Sequence, residues 1–317
     1  MISRIIGATS TPILKIGDYV QMGKYYDEEI LWRCVDIDEN GSLMLADKIL
    51  TIKSYDVKGI HKYIDGTDQA EVSWSTSRTD FGSNLWETSN MRSWLNSTAT
   101  AGNVKWIDGC PPTAAKVTNG YANEKGFLAQ GNFTASEQNA IKSVEQKSLL
   151  HSVDVNKLSK GGTDCHWFPC DDSFNCLIEK IVANYDNSYY HNVKDKMFLL
   201  DVKQLNKVYL NRSILGTNYW IGKPTQKAID NLGDEYAKLS IDKYLNNWTR
   251  TPRAEASIYP SSVLYVNDGG SFGDGHINYD RVNVKSFGSR PAFYINLSSV
   301  SFKSGSGAEG APYIVTR

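Results

Sequence analysis

The dipeptide Asn40-Gly41 stands between two runs of alternating apolar and polar residues, and it constrains the fold more than any other feature. Asn-Gly accepts the positive φ values of a tight hairpin turn, so the flanking runs predict paired antiparallel strands. The upstream run is Ile30-Leu31-Trp32-Arg33-Cys34-Val35-Asp36-Ile37, and the downstream run is Ser42-Leu43-Met44-Leu45-Ala46. An earlier strand over Ile16–Gly23, with a polar turn around Asp27-Glu28-Glu29, extends residues 13–52 into a β-meander. Cys34 falls within the apolar alternation and reads as a small buried hydrophobe. The last third returns to strands. Ser262–Val266 and Val282-Asn283-Val284 read as ladders, and Arg290–Leu297 as a strand near the sheet centre with Pro291 at its start. Pro312–Val315 is positioned to close the sheet.

The middle of the chain reads as short helices separated by long loops. Residues 55–85 are weakly patterned, which predicts a loop or insertion. Trp86–Asn96 predicts an amphipathic helix capped by Thr88 or Ser89, with Met91, Trp94 and Leu95 on one face. Residues 100–131 read as irregular. Thr134-Ala135-Ser136-Glu137 has a capping-box pattern, which predicts a helix running on through Ala140, Ile141 and Val144. Lys196–Leu200 reads as a short buried strand. Asp201 then caps a helix with Gln204 three residues on, and Leu205 and Val208 face inward. A further helix is predicted from Thr225 through Ile229, Leu232 and Tyr236. The order is meander, helices with long loops, then strands again. That predicts one α+β domain, residues 13–317, whose two ends share an antiparallel sheet. Residues 1–12 read as a tail or a strand lent to a neighbour.

Composition narrows the function classes. A formal net charge of -1 on 317 residues does not favour an electrostatic nucleic-acid binder, which needs a clustered positive surface. No window has the roughly 18 apolar residues of a membrane span, and the N-terminus lacks the apolar centre of a signal peptide. Synthesis in the cytosol is expected. Five cysteines without small-scaffold spacing do not suggest a disulfide framework. Asn-x-Ser/Thr sites such as Asn96 and Asn132 read as polar surface.

The stretch Asn246–Ala292 opens on Trp248-x-Arg250-Thr251-Pro252 and closes on Gly288-x-Arg290-Pro291-Ala292. Between these ends it is polar and Gly-rich, with scattered aromatic residues and arginines, a composition common at recognition surfaces. Together with Gly17–Ile37, WETSNMRSWLN over 86–96, and Phe198–Val202 leading into a helix, this ordered set resembles a bacterial and phage family of unassigned function. That family has a C-type-lectin-like fold and is related to the formylglycine-generating-enzyme branch and to the variable proteins of diversity-generating retroelements. The resemblance implies a C-type-lectin-like, formylglycine-generating-enzyme-like fold with an antiparallel sheet, few helices and long loops. It also implies that the last third carries a ligand-facing surface, and that residues 97–131 and 154–195, longer than the family minimum, are insertions that form an accessory face. Ligand contacts are then expected from Arg250, Arg253, Tyr259, Tyr265, Asn267, His276, Tyr279 and Arg281. Trp248, Arg290, Trp32, Trp86 and Trp94 are expected to form the framework, with Arg290 holding a carboxylate or backbone carbonyls.

The formylglycine-generating relatives use paired cysteines in the C-terminal region. This chain has no cysteine after Cys176, so that chemistry lacks its sulfur. Cys165, His166, Cys170 and Cys176 are soft ligands of the kind zinc takes, but their spacing lacks a Cys-x-x-Cys pair, and reduced cysteines are the simpler expectation. Asp268 and Asp274 lie on a Gly-rich loop that offers calcium oxygen donors. It lacks the helix–loop–helix calcium pattern and reads as a hairpin turn. His276 has only Asp274 and Asp280 nearby and no nucleophile. No cofactor is expected. The leading expectation is a non-enzymatic recognition protein of a phage tail, baseplate or tail-like particle, oligomeric and binding a bacterial surface glycan or protein. The alternatives are a structural virion subunit that uses the fold for assembly with sibling proteins, and a metal-dependent enzyme.

Overall fold

A computed structural model describes residues 13–69, 77–154, 178–183, 190–232, 239–253, 259–269 and 276–316. The expected tail over 1–12, the Cys165–Cys176 cluster and Asp274 lie outside these residues. Strands β1 (Tyr19–Tyr25) and β2 (Glu28–Asp38) form a hairpin across Tyr26-Asp27, both at positive φ (52° and 64°). This is the two-residue turn whose twist matches the flanking strands, and it sits slightly upstream of the expected polar turn. Strand β3 (Gly41–Ala46) pairs back on β2 through a turn over Glu39-Asn40, one residue upstream of the expected Asn-Gly pair, with Gly41 at φ 111° opening the strand. Strand β4 (Thr51–Ile52) leaves the meander and joins a second sheet.

The later strands are β5 (Val144–Leu149), β6 (Tyr190–Asp195), β7 (Asn247–Pro252), β8 (Ser262–Val266) and β9 (Ile277–Arg281). They are followed by β10 (Gly288–Ser289), β11 (Ala292–Tyr294), β12 (Ser301–Phe302) and β13 (Tyr313–Thr316). One sheet has the order β11-β3-β2-β1-β13-β12, so both ends of the chain share it. A second runs β4-β10-β7-β8-β9, and β5 pairs with β6 alone. The pairing is mostly antiparallel; β1 with β13 and β10 with β7 are parallel. The molecule is thus a mixed α and β fold with short helices. No helix among the described residues is long and apolar enough to cross a membrane.

The caps decide where the helices start. Ser89 caps Asn90–Leu95, after a single 3-10 turn over Trp86–Thr88. Thr134 and Glu137 form a reciprocal capping box ahead of Ala135–Ala140, as do Asp201 and Gln204 ahead of Val202–Leu210. Three expectations need correction. The helix at 135 stops at Ala140, and Val144 opens β5, because Ile141 turns extended to bridge Ile295. Val282-Asn283-Val284 is not a ladder: β9 ends at Arg281, and the Val282 amide turns to the Ser261 carbonyl. Lys196–Leu200 is not a regular strand, although Phe198 bridges Ala292. Of the helix expected from Thr225, Gln226–Asp230 forms, and Tyr236 lies outside the described residues.

The core is continuous between the sheets. Trp32, Trp86 and Trp94 are fully buried, and Trp248 is nearly so. Trp32 meets Phe293 edge-on at 4.9 Å, and Trp248 packs on Phe287 at 4.6 Å. Tyr121, Phe127 and Leu128, from the segment read as an insertion, belong to this core, so that segment is not an appended face. Gly288 leaves room for the buried Ile49 side chain, which a Cβ there would run into.

Candidate functional site

Among the described residues, the stretch from Asn246 to Ala292 is largely interior. β7 lies between β10 and β8, and every residue of β7 and β8 is buried. Arg250 is therefore not a surface contact. Its guanidinium pairs with Asp201 at 3.1 Å and donates to the Leu199 carbonyl and Gln204. Tyr265 is likewise interior, with its ring centroid 4.3 Å from that of Phe287 and burial pushing its hydroxyl up to about 12. Arg253 is buried, with its guanidinium over the rings of Tyr259 and Tyr279 at 3.7 and 3.3 Å. Of the expected contacts, Arg281 is exposed, beside the Phe81 ring; Tyr259, Asn267, His276 and Tyr279 are half-buried. Asp268 is half-buried too, its amide on the Asn246 side chain. Arg253, Tyr259 and Tyr279 come together in one stack, whereas β7 and β8 turn Arg250 and Tyr265 inward.

A concavity opens elsewhere, between the meander and the turn that follows Leu215. A cleft of about 410 Å³ is lined by Tyr19, Asp47, Lys48, the turn from Leu215 to Tyr219, Gly222, Lys223 and Tyr244. Arg290 is not in the lining but braces two lining residues from behind. The guanidinium donates to the carbonyls of Ala46, Tyr219 and Asp47 at 2.8, 2.8 and 3.0 Å. Arg33 donates to the Leu215 carbonyl at 2.6 Å and to the Ile214 carbonyl at 3.2 Å. The two guanidinium groups lie 4.7 and 4.3 Å from the Tyr219 ring centroid, and Arg33 lies 4.8 Å from that of Tyr19. Planar cations against rings hold the ring planes in place without enclosing them. The Lys223 ammonium lies 5.2 Å from the Tyr244 centroid.

Electrostatics in the cleft are mixed. Burial pushes the Asp47 carboxyl up, and Arg290 and Arg33 oppose that shift. Burial, and then the neighbouring Asp47 charge, push the Tyr19 hydroxyl up to about 12, so it remains a hydrogen-bond donor. The lining offers three tyrosine rings, one carboxylate, one carboxamide (Asn218), one hydroxyl (Thr217) and two ammonium groups. It contains no histidine or cysteine.

Residues 40–297 match a family described as a domain of unknown function, DUF6273. The chain belongs to that family. No curated protein and no solved structure matches it. The family span holds Asp47, Tyr219, Tyr244 and Arg290, whereas Tyr19 and Arg33 come from ahead of it.

Sequence reasoning missed the cleft because its residues are far apart in the chain and follow no period. Arg290 was the one legible piece. A second group also escaped: His61, Asp108 and Cys110, all buried, place potential metal-ligating atoms within 4.8 Å of one another. They lie in segments that read as loop, with no spacing to connect them.

Proposed function

We propose that this chain is a non-enzymatic recognition module that binds a hydroxyl-rich ligand, a glycan of a bacterial surface, in the Tyr19–Tyr219–Tyr244 cleft. The observation that carries this reading is the bracing of two lining residues by Arg290. It fixes Tyr219 and the Asp47 backbone beside Tyr19, so aromatic faces and a carboxylate converge on open space. Saccharides present apolar C–H faces that stack on tyrosine rings, and hydroxyls that donate to a carboxylate. A single carboxylate in the lining suits binding better than glycosidic cleavage, which uses a pair of them. The C-type-lectin-like fold and the phage-particle setting belong to this proposal through the resemblance of the W-x-R-T-P and G-x-R-P-A segments. Weak single-site affinity would be raised by several copies acting together.

The test is binding of the labelled full chain to a panel of purified bacterial cell-wall saccharides. Saturable binding is expected, weakened about tenfold or more in Tyr244→Ala, consistent with the loss of one stacking ring. A folded protein that binds none of them, or whose binding is untouched by Tyr244→Ala and Asp47→Asn together, removes the cleft as the site.

A further inference from the structure

Asp56, His61, Asp108 and Cys110 meet in the interior, away from the cleft. The side chains of Asp56, His61 and Asp108 have no solvent exposure, and Cys110 is buried. The His61 Nδ1 lies 2.5 Å from Asp108 Oδ2 and 3.4 Å from Asp56 Oδ2. Backbone amides hold both carboxylates in place. Asp56 accepts from Ser83 at 2.7 Å and from Asn90 at 3.1 Å, and Asp108 Oδ1 accepts from the Cys110 amide at 2.8 Å. The Cys110 thiol donates to the Ile60 carbonyl at 3.1 Å. Gly59 makes room for that sulfur, since a Cβ there would sit 2.7 Å from it.

The group is short of positive charge. Even with a protonated imidazole, two carboxylates leave a net negative charge withdrawn from water, which is costly. Arg78 is close enough to be felt, but its guanidinium is committed to Asp154 through two bonds of 2.7 and 2.8 Å. Lys116 is half-buried near the thiol. The Nε2 atom of His61, the ring nitrogen not facing the carboxylates, is buried with no hydrogen-bond partner.

We propose that His61, Asp108 and Cys110 form a structural zinc site, with Asp56 beside this three-ligand group, 3.4 Å from the His61 Nδ1. One imidazole, one thiolate and one carboxylate make a borderline-soft set that zinc takes, and the sulfur discriminates against magnesium and calcium. Ligand atoms around zinc lie roughly 3.3 Å apart, so His61 and Asp108 separate slightly as the ion replaces the proton between them. Zinc binding releases that proton and the thiol proton to solvent, and the cysteine bonds the metal as thiolate. The Ser83, Asn90 and Cys110 amides act as the supporting shell that orients the carboxylates.

The test uses the full chain stripped by chelator and titrated with Co²⁺, then competed with Zn²⁺. It is run on wild type, on the Cys165→Ser/Cys170→Ser/Cys176→Ser triple variant, and on Cys110→Ser and His61→Gln in that triple background. The triple variant is expected to bind about one equivalent with thiolate-to-cobalt absorption, and Cys110→Ser to abolish that absorption. His61→Gln is expected to weaken binding about tenfold or more, the usual cost of disturbing a metal site. If Cys110→Ser does not fold, the triple variant and His61→Gln decide. A folded triple variant that binds no metal, or absorption that persists in Cys110→Ser, overturns the site.

Discussion

Two buried polar clusters sit side by side beneath the segment 55–85, and they resolve the same problem differently. Around Arg78 every guanidinium nitrogen has a partner: the Pro260 carbonyl, Gln69, Asn84 and both oxygens of Asp154. One cation meets one carboxylate, and neutral acceptors take the remaining hydrogens. Around His61 two carboxylates face one imidazole, and burial pushes the Asp56 carboxyl up to about 7. Burying charge is tolerated where partners match in sign and number; where they do not, an ion is the simplest remedy. The first cluster is a finished joint, and the second has a vacancy in charge rather than in space.

The comparison predicts effects of different size and sign for the same chemical change. Asp154→Asn strands a buried guanidinium and should cost about 3 kcal/mol in denaturant unfolding, as breaking a buried pair does. A loss below about 1 kcal/mol would mean that the Arg78 joint is not what holds this region. Asp108→Asn, measured in chelator, should be neutral or slightly stabilising, within about 1 kcal/mol. Its carboxamide oxygen still accepts from the Cys110 amide, its NH₂ meets neutral His61, and a like charge is gone. Added zinc should stabilise wild type and leave Asp108→Asn behind, which reverses their order. A destabilisation in chelator as large as that of Asp154→Asn would erase the distinction between the clusters.

The smallest effect belongs to Asp47 in the cleft, where two arginines partly offset burial. Its folded carboxyl binds the proton more tightly than an unfolded aspartate. Stability is therefore full below the ordinary carboxylate range and declines as pH rises through the raised value. Asp47→Asn should flatten that part of a melting-temperature profile against pH and leave acid stability unchanged. An unaltered profile would show that Arg290 and Arg33 cancel the burial completely.

The sequence revealed the elements whose causes are local. The hairpin around Asn40-Gly41 and the capping boxes at Thr134 and Asp201 form within a residue of where their residue types dictate, because a turn or a cap depends on three or four neighbours. The destination of the arginine- and tyrosine-rich stretch was not legible. Arg250 and Tyr265 resemble surface recognition residues in composition, and only the position of β7 and β8 inside a five-stranded sheet shows that they face the interior. Helix ends went wrong where tertiary pairing took over, as when Ile141 leaves the helix to meet Ile295. The cleft and the His61 cluster join residues from segments too distant for any spacing rule. The charged members of the second lay in sequence that looked like solvated loop.

The parallel pairing of β1 with β13 has a consequence for how the molecule is made. Val20 and Gln21 wait for Tyr313 and Ile314, nearly the whole length of the chain later. At about 5–20 residues per second, a ribosome carries the meander with an unpaired edge for roughly a quarter of a minute or longer. Through that interval Val20, backed by Met22, offers an open backbone ladder to any neighbouring nascent chain. The fold therefore closes only after its last strand emerges, and yield in the cell should depend on what shields β1 until then.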